Sequence, residues 1–125
     1  MTEAQVAAKL REYALQHKIE ERWKLIFKGG TTITLSPWPR GKVHIRFFQT
    51  PWHNRRRGYG RAALEEVCRW ADEQNIPLVL CCAPHDDGMP YQKLHEFYMS
   101  FGFDPDEKDM SWMTRQPNCL TYFDV

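Results

Sequence analysis

The order of segments across residues 42–83 constrains the fold of this chain more than any other feature. Residues 42–49 (KVHIRFFQ) alternate apolar and polar side chains, which is the period of a strand. Residues 59–74 repeat apolar side chains at helical spacing, and residues 78–83 (LVLCCA) form a continuous apolar run. Such a run is typical of a strand covered on both faces. We therefore expect a strand–loop–helix–strand unit whose two strands lie parallel in one sheet.

The apolar positions within this unit define its expected buried faces. On the first strand, Val43, Ile45 and Phe47 should share one face, which leaves His44 on the other. The helix carries one apolar stripe, formed by Leu64, Val67, Cys68 and Ala71.

The first half of the chain is expected to add one helix and an antiparallel meander. The segments are a helix at 3–17 after an N-cap at Thr2, strands at 23–27, 31–35 and 42–49, and turns at Gly29-Gly30 and 36–41. One helix precedes the meander, and no first strand or second helix is recognisable. Further on, residues 91–101 form a second amphipathic helix that ends at Gly102, and the tail adds one or two edge strands around Trp112 and 121–123.

These segments predict a single domain, 1–125, of the α/β (α+β) class. Its sheet should be mixed and mostly antiparallel, with a central βαβ unit, helices on both faces and a shortened N-terminal part. A chain of 125 residues is long enough for one core and too short for two.

The charge distribution points to one anionic ligand. Formal net charge is only +1, whereas Arg55-Arg56-Arg57 and Arg61 concentrate positive charge in one segment. A nucleic-acid-binding protein would use these arginines with Trp52 and Tyr59 as stacking rings, but the near-neutral chain argues against that class.

The remaining composition indicates a cytoplasmic protein. No apolar run approaches the ~20 residues of a membrane helix, and the start of the chain lacks the layout of a secretion signal. The four cysteines, at 68, 81, 82 and 119, form no Cys-x-x-Cys pair and no metal spacing with histidine. We interpret them as small buried side chains in a reducing compartment, and we predict no metal site.

The loop between the strand at 42–49 and the following helix has the chemistry of a phosphate site. Gly58 and Gly60 allow the backbone to approach an anion closely, and the helix N-terminus supplies unpaired N–H donors. The arginines add forked donors for phosphate oxygens. A Rossmann loop does not fit, because Ala63 replaces its third glycine, and no Walker motif is present.

The pattern that does fit is Arg-x-x-Gly-x-Gly, at Arg55, Gly58 and Gly60, and it resembles the acetyl-CoA loop of the GCN5-related N-acetyltransferase (GNAT) family. The segment Tyr98-Met99-Ser100-Phe101-Gly102-Phe103 is similar to that family's Tyr-x-x-Leu-Gly-Phe. Both lie in the family's order across residues 42–103, so the resemblance implies a GNAT-like fold.

The resemblance also implies an activity, which is transfer of an acetyl (acyl) group from acetyl-CoA to an amine by direct attack on the thioester. Tyr98 would protonate the departing thiolate. The co-substrate would be held by the end of the strand at 42–49 and by the loop after it: Phe48, Gln49, Thr50, Arg55, Arg56, Arg57, Gly58, Tyr59, Gly60 and Arg61.

The sequence does not identify the acyl acceptor or the general base. The amine could belong to a small molecule or a protein, and the enzyme could be a homodimer. Candidates for the general base are His44, His53, His85, Asp86 and Asp87. A non-catalytic GNAT-like module that binds CoA or a protein is the alternative function, because the N-terminal part is short and Tyr91 replaces a frequent asparagine.

Overall fold

The computed structural model describes residues 1–21, 23–51, 57–82 and 90–118. In chain order, its elements are α1 (Glu3–Ala14), β1 (Lys18–Glu21), β2 (Lys24–Ile26), a 3₁₀ turn (Lys28–Gly30), β3 (Thr32–Trp38), β4 (Lys42–Gln49), α2 (Tyr59–Gln74), β5 (Leu78–Cys81), α3 (Tyr91–Met99), β6 (Asp104–Pro105) and β7 (Trp112–Arg115).

The seven strands form one sheet in the order β1-β2-β3-β4-β5-β7-β6. Strand β4 pairs with β5 in parallel, at Val43↔Leu78, His44↔Val79 and Ile45↔Leu80, and α2 connects the two. The other neighbouring pairs are antiparallel. The predicted mixed, mostly antiparallel sheet with a central βαβ unit is therefore confirmed.

One hydrophobic core joins the helices to the sheet. Helix α1 begins with the predicted N-cap, since Thr2 and Gln5 form a reciprocal capping box, and it buries Val6, Leu10, Tyr13 and Ala14. Tyr13 stacks on Trp70 of α2, with ring centroids 4.6 Å apart. The whole predicted stripe of α2 is buried in the same core.

Helix α3 reaches this core through Leu94, Tyr98 and the following Phe101. The described contacts thus place all three helices on one face of the sheet. A helix on the opposite face stays a prediction.

Three features of the strands differ from the sequence prediction. A first strand does exist, at Lys18–Glu21, but it is only four residues long and consists largely of charged residues. Strand β3 continues through Pro37 to Trp38, so the turn that follows is shorter than expected. Strand β7 lies between β5 and β6 and is not an edge strand, while residues 121–123 lie outside the described residues.

A β-bulge in β4 changes which of its residues point towards the core. The register with β3 passes from Leu35↔Ile45 to Thr34↔Phe47, so Arg46 is an extra residue. After the bulge Phe48 packs against the core, whereas Phe47 is 62% exposed. The expectation that Phe47 shares a face with Val43 and Ile45 is therefore wrong, because an inserted residue inverts the alternation.

No helix in the described ranges has the length and apolar character needed to cross a membrane.

Candidate functional site

The first turn of α2 lies directly against the end of β4. A Cβ atom at Gly60 would be 3.2 Å from Phe48 Cε1 and 3.2 Å from Thr50 Oγ1. Thr50 is itself held by a hydrogen bond of 2.9 Å between its Oγ1 and that of Thr31, which is fully buried. Gly60 therefore lets α2 pack closely on β4, since a Cβ there would require the Phe48 and Thr50 side chains to shift by a few tenths of an ångström. This close packing brings the predicted loop and the predicted strand end into one place.

Gly58 lies at the N-terminus of α2, with no described atom close to its Cα apart from its chain neighbours. It is the N-cap residue with φ 81°, a conformation that favours glycine, and a Cβ there would meet nothing within 4 Å among the residues that the structure describes. No side chain of the described residues caps the helix. The N–H groups of Tyr59, Gly60 and Arg61 are thus in the position where a helix has donors without intrahelical partners.

Gly29 of the 3₁₀ turn packs against Tyr59, the first residue of α2. A Cβ at Gly29 would overlap the Tyr59 ring, so the ring packs where only a glycine leaves room. Arg57 is exposed beside the N-cap, while Arg55 and Arg56 lie outside the described residues. The part of the predicted phosphate loop from Arg57 to Arg61 has the expected strand-to-helix setting.

The strands β4 and β5 pair over a short length. Their register ends at Ile45↔Leu80, although β4 continues to Gln49. Beyond Ile45, the edge of β4 that faces β5 has no described strand partner. The predicted residues Phe48 and Gln49 lie on this segment, where their backbone can pair with an extended ligand.

Arg61 connects the start of α2 to α3. Its guanidinium carbon lies 5.4 Å from the centre of the Phe97 ring and 5.1 Å from that of Phe101. These are cation–π distances, so the side chain holds α3 beside the predicted phosphate loop.

Tyr98 is on the same side of the sheet and is 5% exposed. Its ring makes edge contacts with Phe48, Phe97 and Phe103, at centroid distances of 6.4, 5.5 and 5.9 Å. The structure therefore brings Tyr98 to the strand end that also contacts Gly60, while its role as an acid stays a prediction.

The opposite face of the sheet carries an aromatic cluster around His44. The His44 ring is 4.5 Å from Trp38 and 5.8 Å from Trp112, measured between centroids, and all three side chains are half-buried. Burial, followed by the charge of Arg46, lowers the pKa of His44 below its ordinary value. Of the predicted base candidates, His44 is the one within the described residues.

The cysteines differ from expectation in one case. Cys68 and Cys82 are buried, and burial raises the pKa of the Cys82 thiol. Cys81, however, is exposed at the end of β5. Cys119 lies outside the described residues. Within them, no group of three potential ligands could hold a metal ion.

A buried ion pair joins α2 to β7, and sequence reasoning did not predict it. Arg115 of β7 is fully buried, and its guanidinium donates to the Asp72 carboxylate of α2 at 2.7 and 3.1 Å. Its Nε also donates to the Phe101 carbonyl at 2.7 Å. The partners are 43 positions apart, so no local pattern could reveal the pair.

The family model described as "Acetyltransferase (GNAT) family" matches residues 29–103, which include the glycine loop, α2, β5 and α3. The chain belongs to this family. Among curated proteins, no sequence matches it.

Solved structures agree with the GNAT assignment. The chain is 28% identical to the anti-CRISPR protein AcrVA5, with a TM-score of 0.60, and the match covers 73% of this chain and 94% of that one. Ard1 from Thermoplasma volcanium has 19% identity, a TM-score of 0.57 and coverage of 94% on both sides. The ribosomal-protein-S18-alanine N-acetyltransferase from Escherichia coli has 15% identity and a TM-score of 0.55, over 90% of this chain and 79% of that one. The last two likenesses show that this GNAT chain shares their fold.

Proposed function

We propose that this GNAT chain is an N-acetyltransferase that transfers the acetyl group of acetyl-CoA to an amine. The observation that carries the proposal is the contact between the N-terminus of α2 and the end of β4, whose edge towards β5 has no strand partner beyond Ile45 among the described residues. One ligand could there reach helix N–H donors and a strand edge together. Acetyl-CoA has both parts, because its pyrophosphate is an anion and its pantetheine arm is an extended chain of amides.

The start of α2 and the end of β4 would bind different parts of acetyl-CoA. The pyrophosphate would bind the N–H groups from Arg56 to Arg61, where the helix dipole favours negative charge and Arg57 adds a full positive charge. The pantetheine arm would run along β4 between Phe48 and Thr50, as an added strand.

The chemistry is a single acyl transfer. The amine nitrogen attacks the thioester carbonyl, the new C–N bond forms and the C–S bond breaks. Tyr98 would donate its phenolic proton to the departing CoA thiolate. Its proximity to Phe48 supports this role, since Phe48 is on the segment assigned to the pantetheine arm.

The first test is acetyl-CoA binding by isothermal titration calorimetry. We expect the wild-type chain to bind and Arg57→Glu to weaken binding by at least tenfold, because one favourable charge becomes a repulsive one. Gly58→Glu should abolish binding by filling the approach to α2. Gln74→Glu is the matched control, since it adds the same charge at the other end of α2 and should bind like the wild type. Absence of binding by the wild-type chain would sink the proposal.

Turnover separates an enzyme from a non-catalytic module. Release of free CoA in the presence of a panel of small amines and peptides should be lost in Tyr98→Phe, which preserves the ring and removes only the hydroxyl. Binding without turnover on any member of the panel would instead favour the CoA-binding module.

A further inference from the structure

The face of the sheet opposite the helices is apolar at its centre. The rings of Trp38, His44 and Trp112 form an aromatic cluster there, with centroids 4.5 to 5.8 Å apart. Phe47, further along β4, adds a ring that is 62% exposed. None of the described helices packs on this face. An aromatic sheet face of this kind is suited to packing against a second sheet, because two such faces form a core between them.

The basic side chains of this face lie on β4. Lys42 pairs with Trp38 across the strands, so the two residues share the face. The guanidinium carbon of Arg46 lies over the exposed Phe47 ring, 5.7 Å from its centroid. Two cations therefore stand on one strand, one on each side of His44.

The acidic side chains of this face lie at the outer edge of the sheet. Exposed Asp104 of β6 pairs with Thr114 of β7. Asp106, also exposed, follows on the same face, since its N–H donates to the Trp112 carbonyl at 2.8 Å. In the described residues of β4, β5, β7 and β6, charge on this face is thus separated by sign, with the apolar centre between.

Strand pairing places the two kinds of charge at the same level along the sheet. One row of paired residues crosses β4, β5, β7 and β6: His44, Val79, Thr114 and Asp104. Because Lys42 and Arg46 lie on either side of this row, Asp104 is level with the midpoint between them. Neighbouring strands are about 4.8 Å apart, which puts the acidic edge about 14 Å from β4.

A two-fold rotation makes this face complementary to itself. An axis that runs along the strands, midway between β5 and β7, is equally far from β4 and β6. The rotation places β6 of one copy over β4 of the other and keeps every residue at its level. Asp104 of each copy then lies between Lys42 and Arg46 of the other copy, so each attraction occurs twice. Sheets packed face to face are about 10 Å apart, which leaves room for the rings of both copies.

We propose that this chain forms a homodimer through the sheet face opposite its helices. The aromatic cluster forms the centre of the interface, and Lys42, Arg46 and Asp104 make its charge contacts. A second copy fits better than a purely basic or purely acidic partner, because a partner of one sign is repelled by one of the two charged strands. The inference is independent of the proposed acetyl transfer, since none of these residues is assigned to acetyl-CoA.

Sedimentation equilibrium measures the association directly. At about 100 µM we expect the wild type to have twice the 14.9 kDa mass of one chain. The Lys42→Glu, Arg46→Glu double variant and the Asp104→Lys variant should each raise the dimer Kd by about tenfold or more, because attraction becomes repulsion at both symmetric contacts. The control is Arg11→Glu, Lys93→Glu, which makes the same change of charge at exposed positions of α1 and α3 and should dimerise like the wild type.

Mixing the two weakened variants tests the symmetry of the contacts. In a mixed dimer, the lysine introduced at position 104 of one copy lies between the two glutamates introduced in the other copy, and the second contact is the native one. An equimolar mixture should therefore recover the wild-type dimer Kd, although each variant alone does not.

Three results would overturn the inference. A wild type that is monomeric at this concentration leaves the face to a partner of another kind. A dimer that is unaffected by the charge variants, or variants that do not recover on mixing, places the interface elsewhere. Far-UV circular dichroism establishes that each variant is folded, and if the double variant is not, Arg46→Glu alone replaces it with the same expected outcomes, because position 46 is exposed.

Discussion

Gly60 allows the first turn of α2 to lie against the end of β4, because any larger residue would place its Cβ 3.2 Å from Phe48 and Thr50. We expect Gly60→Val to reduce the free energy of unfolding by about 1–3 kcal/mol, which is typical of overpacking. It should also weaken acetyl-CoA binding by moving the helix away from the strand.

Urea denaturation and calorimetry measure the two effects of Gly60→Val. Ala62→Val, two positions later and exposed, is the control for a β-branched side chain in the first turns of α2. Valine has a higher helix propensity than glycine and a lower one than alanine, so propensity alone would make Gly60→Val the less destabilising of the two. Equal stability and acetyl-CoA affinity in both variants would contradict the close packing assigned to Gly60.

At the scale of elements, the Arg115–Asp72 pair fixes α2 against β7. A hydrogen bond from Arg115 Nε to the Phe101 carbonyl also joins the segment after α3 to β7. Arg115→Leu removes the cation that pairs with the Asp72 carboxylate, and Asp72→Asn removes the carboxylate that pairs with the buried Arg115 guanidinium. We expect Asp72→Asn to cost about 3–5 kcal/mol of unfolding free energy, because it breaks a buried ion pair. Arg115→Leu should cost less, because the Asp72 carboxylate is 15% exposed and still accepts the Asn118 N–H.

A double-mutant cycle tests the coupling within this pair. The Arg115→Leu, Asp72→Asn double variant should lose clearly less stability than the sum of the two single variants. Additive losses in urea denaturation would mean that the two side chains act independently.

The elements that could be predicted from sequence are those with strong local periodicity. The bounds of α2 and β4 agree with the prediction, because a sixteen-residue amphipathic pattern and an alternating strand each carry their own signal. The bulge at Arg46 depends on pairing with β3, and the approach of Trp112 to His44 depends on the order of strands. Such long-range features leave no local pattern, so the strand-to-helix setting of the glycine loop was predictable and the aromatic cluster around His44 was not.

At the scale of the whole molecule, a single core extends from Val6 to Met113 and includes all three helices. Such a domain should unfold in one cooperative step. We expect far-UV and near-UV circular dichroism to give the same midpoint in urea, since Trp70 packs on Tyr13 in this core. Two separate midpoints would show that the N-terminal meander and the βαβ unit unfold independently.

The closeness of His44 to two indole rings has an optical consequence. A protonated imidazole in contact with an excited indole accepts an electron and quenches its emission, whereas a neutral one quenches far less. Trp38 and Trp112 should therefore fluoresce more strongly as His44 loses its proton, while the other three of the five tryptophans, Trp23, Trp52 and Trp70, contribute the background emission. The protein thus carries an intrinsic reporter of the protonation of His44, readable without label or substrate.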